Sequence, residues 1–248
     1  MKKALVTGAS SGIGAEIAKI LSDKGYYVIL VARRKEKLEE VKAQLKECEI
    51  FVADLSKSDA VESVFEKHRD IDVLVNNAGF GVFGEFDKTD FARESEMIDL
   101  NIKALHHLTK LYLSEFKSKG SGRILNVAST AAFFPGPKFS SYYASKAYVY
   151  RLSIALCEEL RREKSPITLS VFCPGPVRTE FNDVAGVKFG INSISAQYAA
   201  KIAVDGMLKG KAVIVPSFLI KATRLFSKLI PDRILARIVY YLQTYKSR

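Results

Sequence analysis

The chain alternates short, continuously apolar runs with longer stretches whose apolar residues recur at helical spacing. The apolar runs cover residues 4–7, 27–31, 50–53, 72–75, 123–129, 167–173 and 212–215. Runs of this kind, without polar alternation, are typical of strands that are buried on both faces of a parallel sheet. Because crossovers between parallel strands are helical and right-handed, we predict an α/β fold with a doubly wound parallel sheet of about seven strands, in three layers.

Length, composition and cysteine usage predict one soluble, cytoplasmic domain without a metal site. The 248 residues are 48% apolar and 26% charged, which is ordinary for a globular protein. Cys48, Cys157 and Cys173 are far apart and form no CxxC pair, so they predict neither a disulfide framework nor a zinc site. We predict one domain over residues 1–215 and an extension over residues 216–248.

A glycine-rich turn follows the first apolar run and precedes the first helical pattern. It contains Gly8, Ser10, Ser11, Gly12, Ile13 and Gly14, with the glycines spaced G-x-x-x-G-x-G. The backbone N–H groups and the dipole at a helix N-terminus favour anions, so this turn predicts a phosphate-binding site. A purely structural turn is the alternative.

The ends of the second and third runs predict the adenosine side of a dinucleotide site. In dinucleotide-binding folds an acidic residue after the second strand bonds the ribose hydroxyl of NAD, whereas arginine accommodates the 2′-phosphate of NADP. Here Arg33 and Arg34 stand at that position. Asp54 and Leu55 follow the third run, where the carboxylate either meets the adenine amino group or caps the next helix.

Two further turns lie at predicted strand ends, the edge at which ligands of open α/β sheets bind. The small and polar Asn77, Ala78 and Gly79 follow the fourth run. A stiff turn follows the sixth run and contains Pro174, Gly175, Val177 and Thr179. We predict that it holds the nicotinamide end of the cofactor.

Tyr142 and Lys146 lie four residues apart at the start of a predicted helix and therefore share one helical face. A nearby ammonium lowers the pKa of a phenol and makes it a usable acid or base. Ser129 ends the fifth run, and no G-x-S-x-G motif of a hydrolase surrounds it. Asn101 lies in a long predicted helix over residues 89–118, either as a structural tie or as a site residue.

Together these motifs resemble the single-domain short-chain dehydrogenase/reductase family, over residues 1 to about 215 in the family's order. The resemblance implies a Rossmann-type fold, a nicotinamide cofactor and a catalytic tetrad of Asn101, Ser129, Tyr142 and Lys146. In it, Tyr142 exchanges the proton and Ser129 orients the substrate oxygen. Lys146 lowers the phenol pKa and binds the ribose, and Asn101 supports a proton path.

The resemblance further implies that Val177 and Thr179 contact the carboxamide of the cofactor and that the protein is a dimer or tetramer. Arg33 and Arg34 are similar to residues of NADP-preferring members. We expect an NADP(H)-dependent oxidoreductase that interconverts a small-molecule carbonyl compound and an alcohol. Loops rich in Phe and Gly, over 80–86, 133–139 and 181–194, favour an apolar or lipid-like substrate. A non-catalytic dinucleotide sensor or membrane-associated scaffold is the alternative.

Residues 216–248 differ in composition from the rest of the chain. They contain seven Lys or Arg and one Asp, so six of the eleven net positive charges lie here. Apolar stripes predict two basic amphipathic helices, separated at Pro231. Three interpretations remain open: packing on the domain or a second subunit, peripheral contact with an anionic membrane, and a lid over an apolar substrate. Nucleic-acid binding is disfavoured, because phosphates would leave the apolar stripes unused.

Overall fold

The computed structural model describes residues 1–186, 193–216 and 229–246. The strands are β1 (Lys3–Thr7), β2 (Tyr27–Ala32), β3 (Cys48–Val52), β4 (Val73–Asn76), β5 (Arg123–Val127), β6 (Thr168–Phe172), β7 (Val177–Arg178), β8 (Ile194–Ser195) and β9 (Val213–Ile214). The helices are α1 (Gly12–Asp23), α2 (Lys35–Lys42), α3 (Ser58–Lys67), α4 (Phe91–Ile98), α5 (Leu105–Lys119), α6 (Ser140–Arg162), α7 (Phe181–Ala185), α8 (Ala196–Leu208) and α9 (Asp232–Lys246).

Seven of the described strands form one parallel sheet in the order β3-β2-β1-β4-β5-β6-β9. This order confirms the predicted doubly wound sheet. From β1 the chain adds strands β2 and β3 towards one edge of the sheet, and from β4 it adds strands towards the other edge. Open α/β sheets bind ligands in the crevice at such a reversal, which lies between β1 and β4. The short strands β7 and β8 pair separately, also in parallel.

Helices cover both faces of the sheet, which explains why the strands lack polar alternation. Val6 and Leu30 point to the face where α1 and α8 pack. Leu5 and Ile29 point to the opposite face, against α3 and α5. All four side chains are at most 1% exposed. The core therefore consists of two apolar layers that hold the carboxyl ends of the strands at one edge.

The predicted helical stretch over residues 89–118 is confirmed over residues 91–119, but it contains a π-helical turn that the prediction did not include. Helix α4 is followed by a π-helical turn, Asp99–Ala104, before α5 begins. Apolar spacing does not distinguish a wide turn from a regular one, so the sequence pattern missed it. π-helical turns occur often at functional sites, and Asn101 lies inside this one.

The predicted C-terminal helices are described only in part. The first falls largely on residues 217–228, outside the described residues. The second is confirmed as α9, on which Leu235 is buried and Ile234 is half exposed. None of the described helices is long and apolar enough to cross a membrane.

Candidate active site

A cavity of about 750 Å³ opens at the carboxyl edge of the sheet. Every predicted site residue except Gly14 and Asn101 lines it. The structure thus brings together turns that are separated by more than a hundred residues in sequence. Among the described residues no group of three or more His, Cys, Asp or Glu side chains could hold a metal ion.

The glycine-rich turn leaves no room for side chains at its three glycine positions. Gly8 and Gly12 adopt positive φ angles of 64° and 58°, which L side chains rarely adopt. A Cβ on Gly14 would lie 2.4 Å from the Gly8 carbonyl oxygen and 2.4 Å from Asn77 Nδ2. The turn therefore brings its backbone close to the cavity at Gly8 and Gly12, directly before the N-terminus of α1, where an anion is favoured.

Thr7 and Asn77 join the ends of β1 and β4 beneath the cavity. Thr7 Oγ1 donates to the Val75 carbonyl at 3.2 Å and accepts from the backbone N–H groups of Asn77 and Ala78 at 2.9 and 3.0 Å. Asn77 Nδ2 donates to the Thr7 carbonyl at 3.0 Å. These bonds hold the crevice between the two central strands at a fixed width.

Both predicted arginines lie at the cavity edge beside β2. Arg33 Nη1 lies 2.6 Å from Glu96 Oε1. Arg34 Nη2 donates to Ser10 Oγ at 3.2 Å and to Ser11 Oγ at 2.9 Å. The position of Arg34 against the glycine-rich turn places its guanidinium where a phosphate on that turn would meet it.

Asp54 does not cap α3, because Lys57 occupies the N-cap position. Its carboxylate instead accepts hydrogen bonds from Ser56 N at 3.1 Å and from Ser56 Oγ at 2.8 Å. Partial burial raises the pKa of Asp54, but the Ser56 bonds and the Arg33 charge outweigh it, so the net pKa is lowered. Asp54 is therefore an anionic acceptor at the cavity wall.

Tyr142 and Ser129 both line the cavity, and the serine hydroxyl lies close enough to the phenol to lower its pKa. Ser129 follows β5, and its Oγ also accepts from the Ala131 backbone N–H at 3.1 Å. The Tyr142 ring stacks on Phe139 with centroids 4.5 Å apart and an interplanar angle of 20°. Because Phe139 fixes the ring and Ser129 contacts the hydroxyl, the phenol is held in one orientation.

The predicted lowering of the Tyr142 pKa is wrong in this arrangement. Burial raises the pKa of the phenol well above its ordinary value of 10.0, and the nearby Ser129 hydroxyl offsets that only in part. Lys146 Nζ lies 5.8 Å from the ring centroid and donates to the Val127 carbonyl at 3.0 Å. Tyr142 is therefore a neutral hydroxyl that can donate a proton.

Lys146 lies on the same face of α6 as Tyr142, four residues further on, and is 5% exposed. Burial lowers the pKa of its ammonium from 10.5 to about 8, against a smaller opposing effect of Cys173. The group consequently remains mostly charged at neutral pH. A buried cation beside the phenol favours any negative charge that develops there.

This burial predicts a pH-dependent stability difference between the wild-type protein and the Lys146→Met variant. From about pH 8 to pH 10.5 the unfolded chain retains a proton on Lys146 that the folded chain has released. Wild-type stability should therefore rise relative to the variant across this window, by about 3 kcal/mol in total. Urea unfolding of both proteins at several pH values measures the difference, and parallel stability curves would contradict the buried position of Lys146.

Asn101 lies behind the cavity wall and contacts it through Gly79 and Phe80. Its Nδ2 donates to the Phe80 carbonyl at 2.9 Å and to Ser145 Oγ at 3.1 Å, and its Oδ1 accepts from the Phe80 N–H at 3.1 Å. A Cβ on Gly79 would lie 2.6 Å from Asn101 Oδ1 and 3.4 Å from Lys146 Nζ. These contacts show the structural tie that the sequence left as one alternative.

The turn after β6 lies opposite the glycine-rich turn. The Pro174 carbonyl accepts from the Thr130 N–H at 2.9 Å and lies 3.5 Å from Ser129 Oγ. Thr179 contacts the glycine-rich turn, because a Cβ on Gly12 would meet its methyl group at 3.0 Å. Gly175 and Val177 line the cavity between these two contacts. The turn after β6 therefore extends from Ser129 to Gly12 at the start of α1.

Helix α9 forms a cavity wall, and its polar contact through Gln243 was not predicted from the sequence. Leu235, Val239 and Gln243 lie on one face of the helix and line the cavity. Gln243 Nε2 donates to Tyr143 Oη at 3.0 Å and so links α9 to the helix that carries Tyr142. The stripe of apolar residues predicted the helix, but no local pattern links positions 143 and 243.

Comparisons with known proteins agree with this architecture. The family model of short chain dehydrogenases matches residues 2–190. An uncharacterized oxidoreductase of Staphylococcus epidermidis is 34% identical over 194 residues, which span 76% of this chain and 83% of the relative. A fatty acyl-CoA reductase of Acinetobacter baylyi is 32% identical over 226 residues, which span 84% and 73% of the two chains.

The solved structure of a short-chain dehydrogenase from Sphingobium yanoikuyae, in complex with NADPH, matches with a TM-score of 0.82 and 29% identity. The match covers 94% of this chain and 97% of that one. Sheet order, glycine-rich turn and matching relatives all agree, and the family binds NAD(P). This chain is an oxidoreductase that belongs to the short chain dehydrogenase family.

Proposed function

We propose that this protein is an NADP(H)-dependent oxidoreductase that interconverts a ketone or aldehyde and an alcohol. The observation that carries the proposal is the neighbouring pair of hydroxyl groups of Ser129 and Tyr142 in the cavity wall. Lys146 lies behind this pair as a buried cation. The three groups suit a carbonyl oxygen that gains negative charge and a proton as it is reduced.

The residues of the cavity fit a nicotinamide dinucleotide. The glycine-rich turn packs closely on Asn77 and Ala78 at Gly8, and it offers backbone N–H groups to an anion at the start of α1. Ser10, Ser11, Gly12 and Ile13 continue this cradle, and Ala78 and Gly79 form the adjoining wall. When bound, the cofactor supplies or accepts the hydride.

The protein's own groups then handle the proton. The Tyr142 hydroxyl donates its proton to the substrate oxygen, and Ser129 bonds the same oxygen and orients it. Lys146 stabilises the negative charge that the phenol gains as it donates. We assign Asn101 a positioning role, because its three hydrogen bonds hold Phe80 and Ser145 behind the cavity. A proton path past Asn101 to Lys146 remains part of the proposal.

The two arginines support a preference for NADP(H) over NAD(H). Arg33 and Arg34 are both about half exposed at the cavity edge, and each has a carboxylate partner that orients it. A guanidinium can bond a 2′-phosphate through two charge-assisted hydrogen bonds, whereas a ribose hydroxyl offers no negative charge. The solved relative named above with NADPH gives the same support.

Arg33→Ala is expected to weaken NADPH binding at least tenfold and NADH binding by less than about threefold, because only NADPH loses a charge-assisted bond. Fluorescence titration of both nucleotides measures the two affinities. Lys37→Ala is the matched control, since it removes one cation from an ion pair with Glu40 on neighbouring α2. Equal losses of affinity for NADPH and NADH would show that Arg33 does not bind the 2′-phosphate. Arg34→Ala then tests the second guanidinium in the same way.

The cavity walls support an apolar or lipid-like carbonyl substrate. Phe83 and Phe134 come from two different loops, Phe181 begins α7, and Leu235 and Val239 come from α9. The relative named as a fatty acyl-CoA reductase is consistent with an extended apolar ligand. We therefore propose the lid interpretation for the inner face of α9.

Carbonyl-dependent oxidation of NADPH tests the proposed activity. The full-length protein is titrated with NADPH and then mixed with aliphatic, aromatic and bicyclic ketones and aldehydes. Oxidation of NADPH by apolar carbonyl compounds supports the proposal. Nucleotide binding without turnover of any carbonyl compound or alcohol would favour the non-catalytic sensor or scaffold instead.

We also propose the cellular setting that the sequence suggested. The protein is cytoplasmic, is peripheral to a membrane through its C-terminal segment, and forms a dimer or tetramer. Residues 1–215 form the catalytic domain, and residues 216–248 are an extension of it that contributes α9 to the cavity wall. Multi-angle light scattering of the full-length protein tests the oligomeric state.

A further inference from the structure

Helix α9 has two faces that serve different surroundings. Its inner face, with Leu235, Val239 and Gln243, lines the cavity, and Leu235 and Gln243 are only 6% and 7% exposed. On the outer face Ile234 is 49% exposed and Tyr241 is 72% exposed. An amphipathic helix normally exposes polar residues on its outer face, so this apolar outer face requires an explanation.

The mouth of the cavity continues this apolar outer face. Ile238 and Leu242 line the cavity and are nevertheless 46% and 56% exposed. Val184 of α7, across the mouth, also lines the cavity and is 50% exposed. An apolar molecule could therefore move from the outer face of α9 into the cavity without leaving apolar surroundings.

The charges beside this face are positive. Arg233 and Arg237 are both exposed on α9. The only acidic residue between positions 216 and 248 is Asp232, against seven Lys or Arg. An anionic surface complements this pattern. A second copy of this chain does not complement it, because a two-fold contact through this face would bring the same cations together.

We propose that the outer face of α9 docks on an anionic lipid bilayer with the cavity mouth towards it, so that the apolar substrate passes from the bilayer into the cavity. The inference rests on the proposed function for its substrate and on the geometry of α9 for its docking surface. Basic helices with aromatic and aliphatic residues on the other face lie in bilayer interfaces in this way. Helix α9 is then both the lid of the cavity and the membrane contact.

Vesicle co-sedimentation of the full-length protein tests the docking. Phosphatidylcholine vesicles with and without phosphatidylserine are compared for the wild type and for the double variant Ile234→Ser/Tyr241→Ser. Neither residue lines the cavity, so both proteins should reduce a water-soluble ketone equally. The control is Phe86→Ser/Phe91→Ser, which removes two aromatic residues that are 71% and 80% exposed outside α9.

We expect the wild type and the Phe86/Phe91 control to sediment with the phosphatidylserine vesicles, and the Ile234/Tyr241 variant to bind at least tenfold more weakly. Arg233→Gln/Arg237→Gln should lower the affinity as well, by about fivefold per charge. A long-chain ketone dissolved in those vesicles should be reduced faster by the wild type than by the Ile234/Tyr241 variant.

Equal sedimentation of the wild type and the Ile234/Tyr241 variant would overturn the docking inference. A change of oligomeric state in that variant, by light scattering and without a change in vesicle binding, would also overturn it and assign the face to a second copy. If the wild type and the Ile234/Tyr241 variant reduce the vesicle-dissolved ketone at equal rates, substrate uptake from the bilayer is refuted. Selective vesicle binding without turnover of any ketone would support the docking and refute the proposed activity.

Discussion

Substitution of Tyr142 by phenylalanine is expected to lower kcat for carbonyl reduction by about two to four orders of magnitude, the usual contribution of a positioned proton donor. The variant keeps the ring that stacks on Phe139, so the cavity should keep its shape. NADPH affinity should change by less than about threefold, because the hydroxyl faces Ser129 rather than the glycine-rich turn. Single-turnover kinetics with saturating NADPH measure the chemical step directly.

Tyr143→Phe is the matched control for this experiment. It removes the neighbouring phenol hydroxyl, which bonds Gln243 of α9 and has no contact with Ser129 in the hydrogen bonds described. Its kcat should fall by less than about tenfold, with any larger effect confined to KM for bulky substrates. Similar decreases of kcat in the Tyr142→Phe and Tyr143→Phe variants would contradict the assignment of Tyr142 as the proton donor.

Replacement of Asn101 by alanine is expected to destabilise the protein by about 2 to 6 kcal/mol. The variant leaves the N–H and carbonyl groups of Phe80 unpaired in a buried environment, and each such group costs about 1–3 kcal/mol. Asn101 is fully buried, so water has no access with which to replace the lost bonds. Urea unfolding followed by circular dichroism measures the change.

Ser145→Ala is the matched control for Asn101. It removes the hydrogen bond from Asn101 Nδ2 and the bond that Ser145 Oγ donates to the Tyr142 carbonyl, and it leaves the two bonds to Phe80 intact. Its destabilisation should be about 1 to 2 kcal/mol, the net value of two ordinary hydrogen bonds, and smaller than that of Asn101→Ala. If both variants are equally stable, Asn101 does not act as the structural tie. If the Asn101→Ala protein folds and only the rate of its chemical step is lowered, the proposed proton path past Asn101 to Lys146 gains support.

The fold could be predicted from the sequence because its strands are buried on both faces. Residues such as Leu5 and Val6 point to opposite layers and are both fully buried, so neither position tolerates a polar residue. A continuous apolar run then indicates a central parallel strand. The π-helical turn inside the helical stretch over 89–118 could not be predicted, because such a turn changes backbone hydrogen bonds but leaves the apolar periodicity almost unchanged.

The candidate site could be predicted where chemistry depends on residue type and spacing, and not where it depends on burial. Four-residue spacing placed Tyr142 and Lys146 on one helical face. The sign of the Tyr142 pKa shift depends on how far the phenol is desolvated and on where the ammonium points, and both follow from tertiary packing. The bond from Gln243 to Tyr143 spans one hundred residues and has no local signature.

Transfer of deuterium from specifically labelled NADPH to a carbonyl substrate tests the central claim most directly. The full-length protein is incubated with NADPH carrying deuterium at nicotinamide C4, with each face labelled in turn, and with an apolar ketone. Mass spectrometry of the alcohol should show one deuterium on the former carbonyl carbon, from one of the two labelled faces, and none with Tyr142→Phe over the same time. An alcohol without deuterium from either label, or a labelled alcohol formed at the wild-type rate by Tyr142→Phe, would contradict the account.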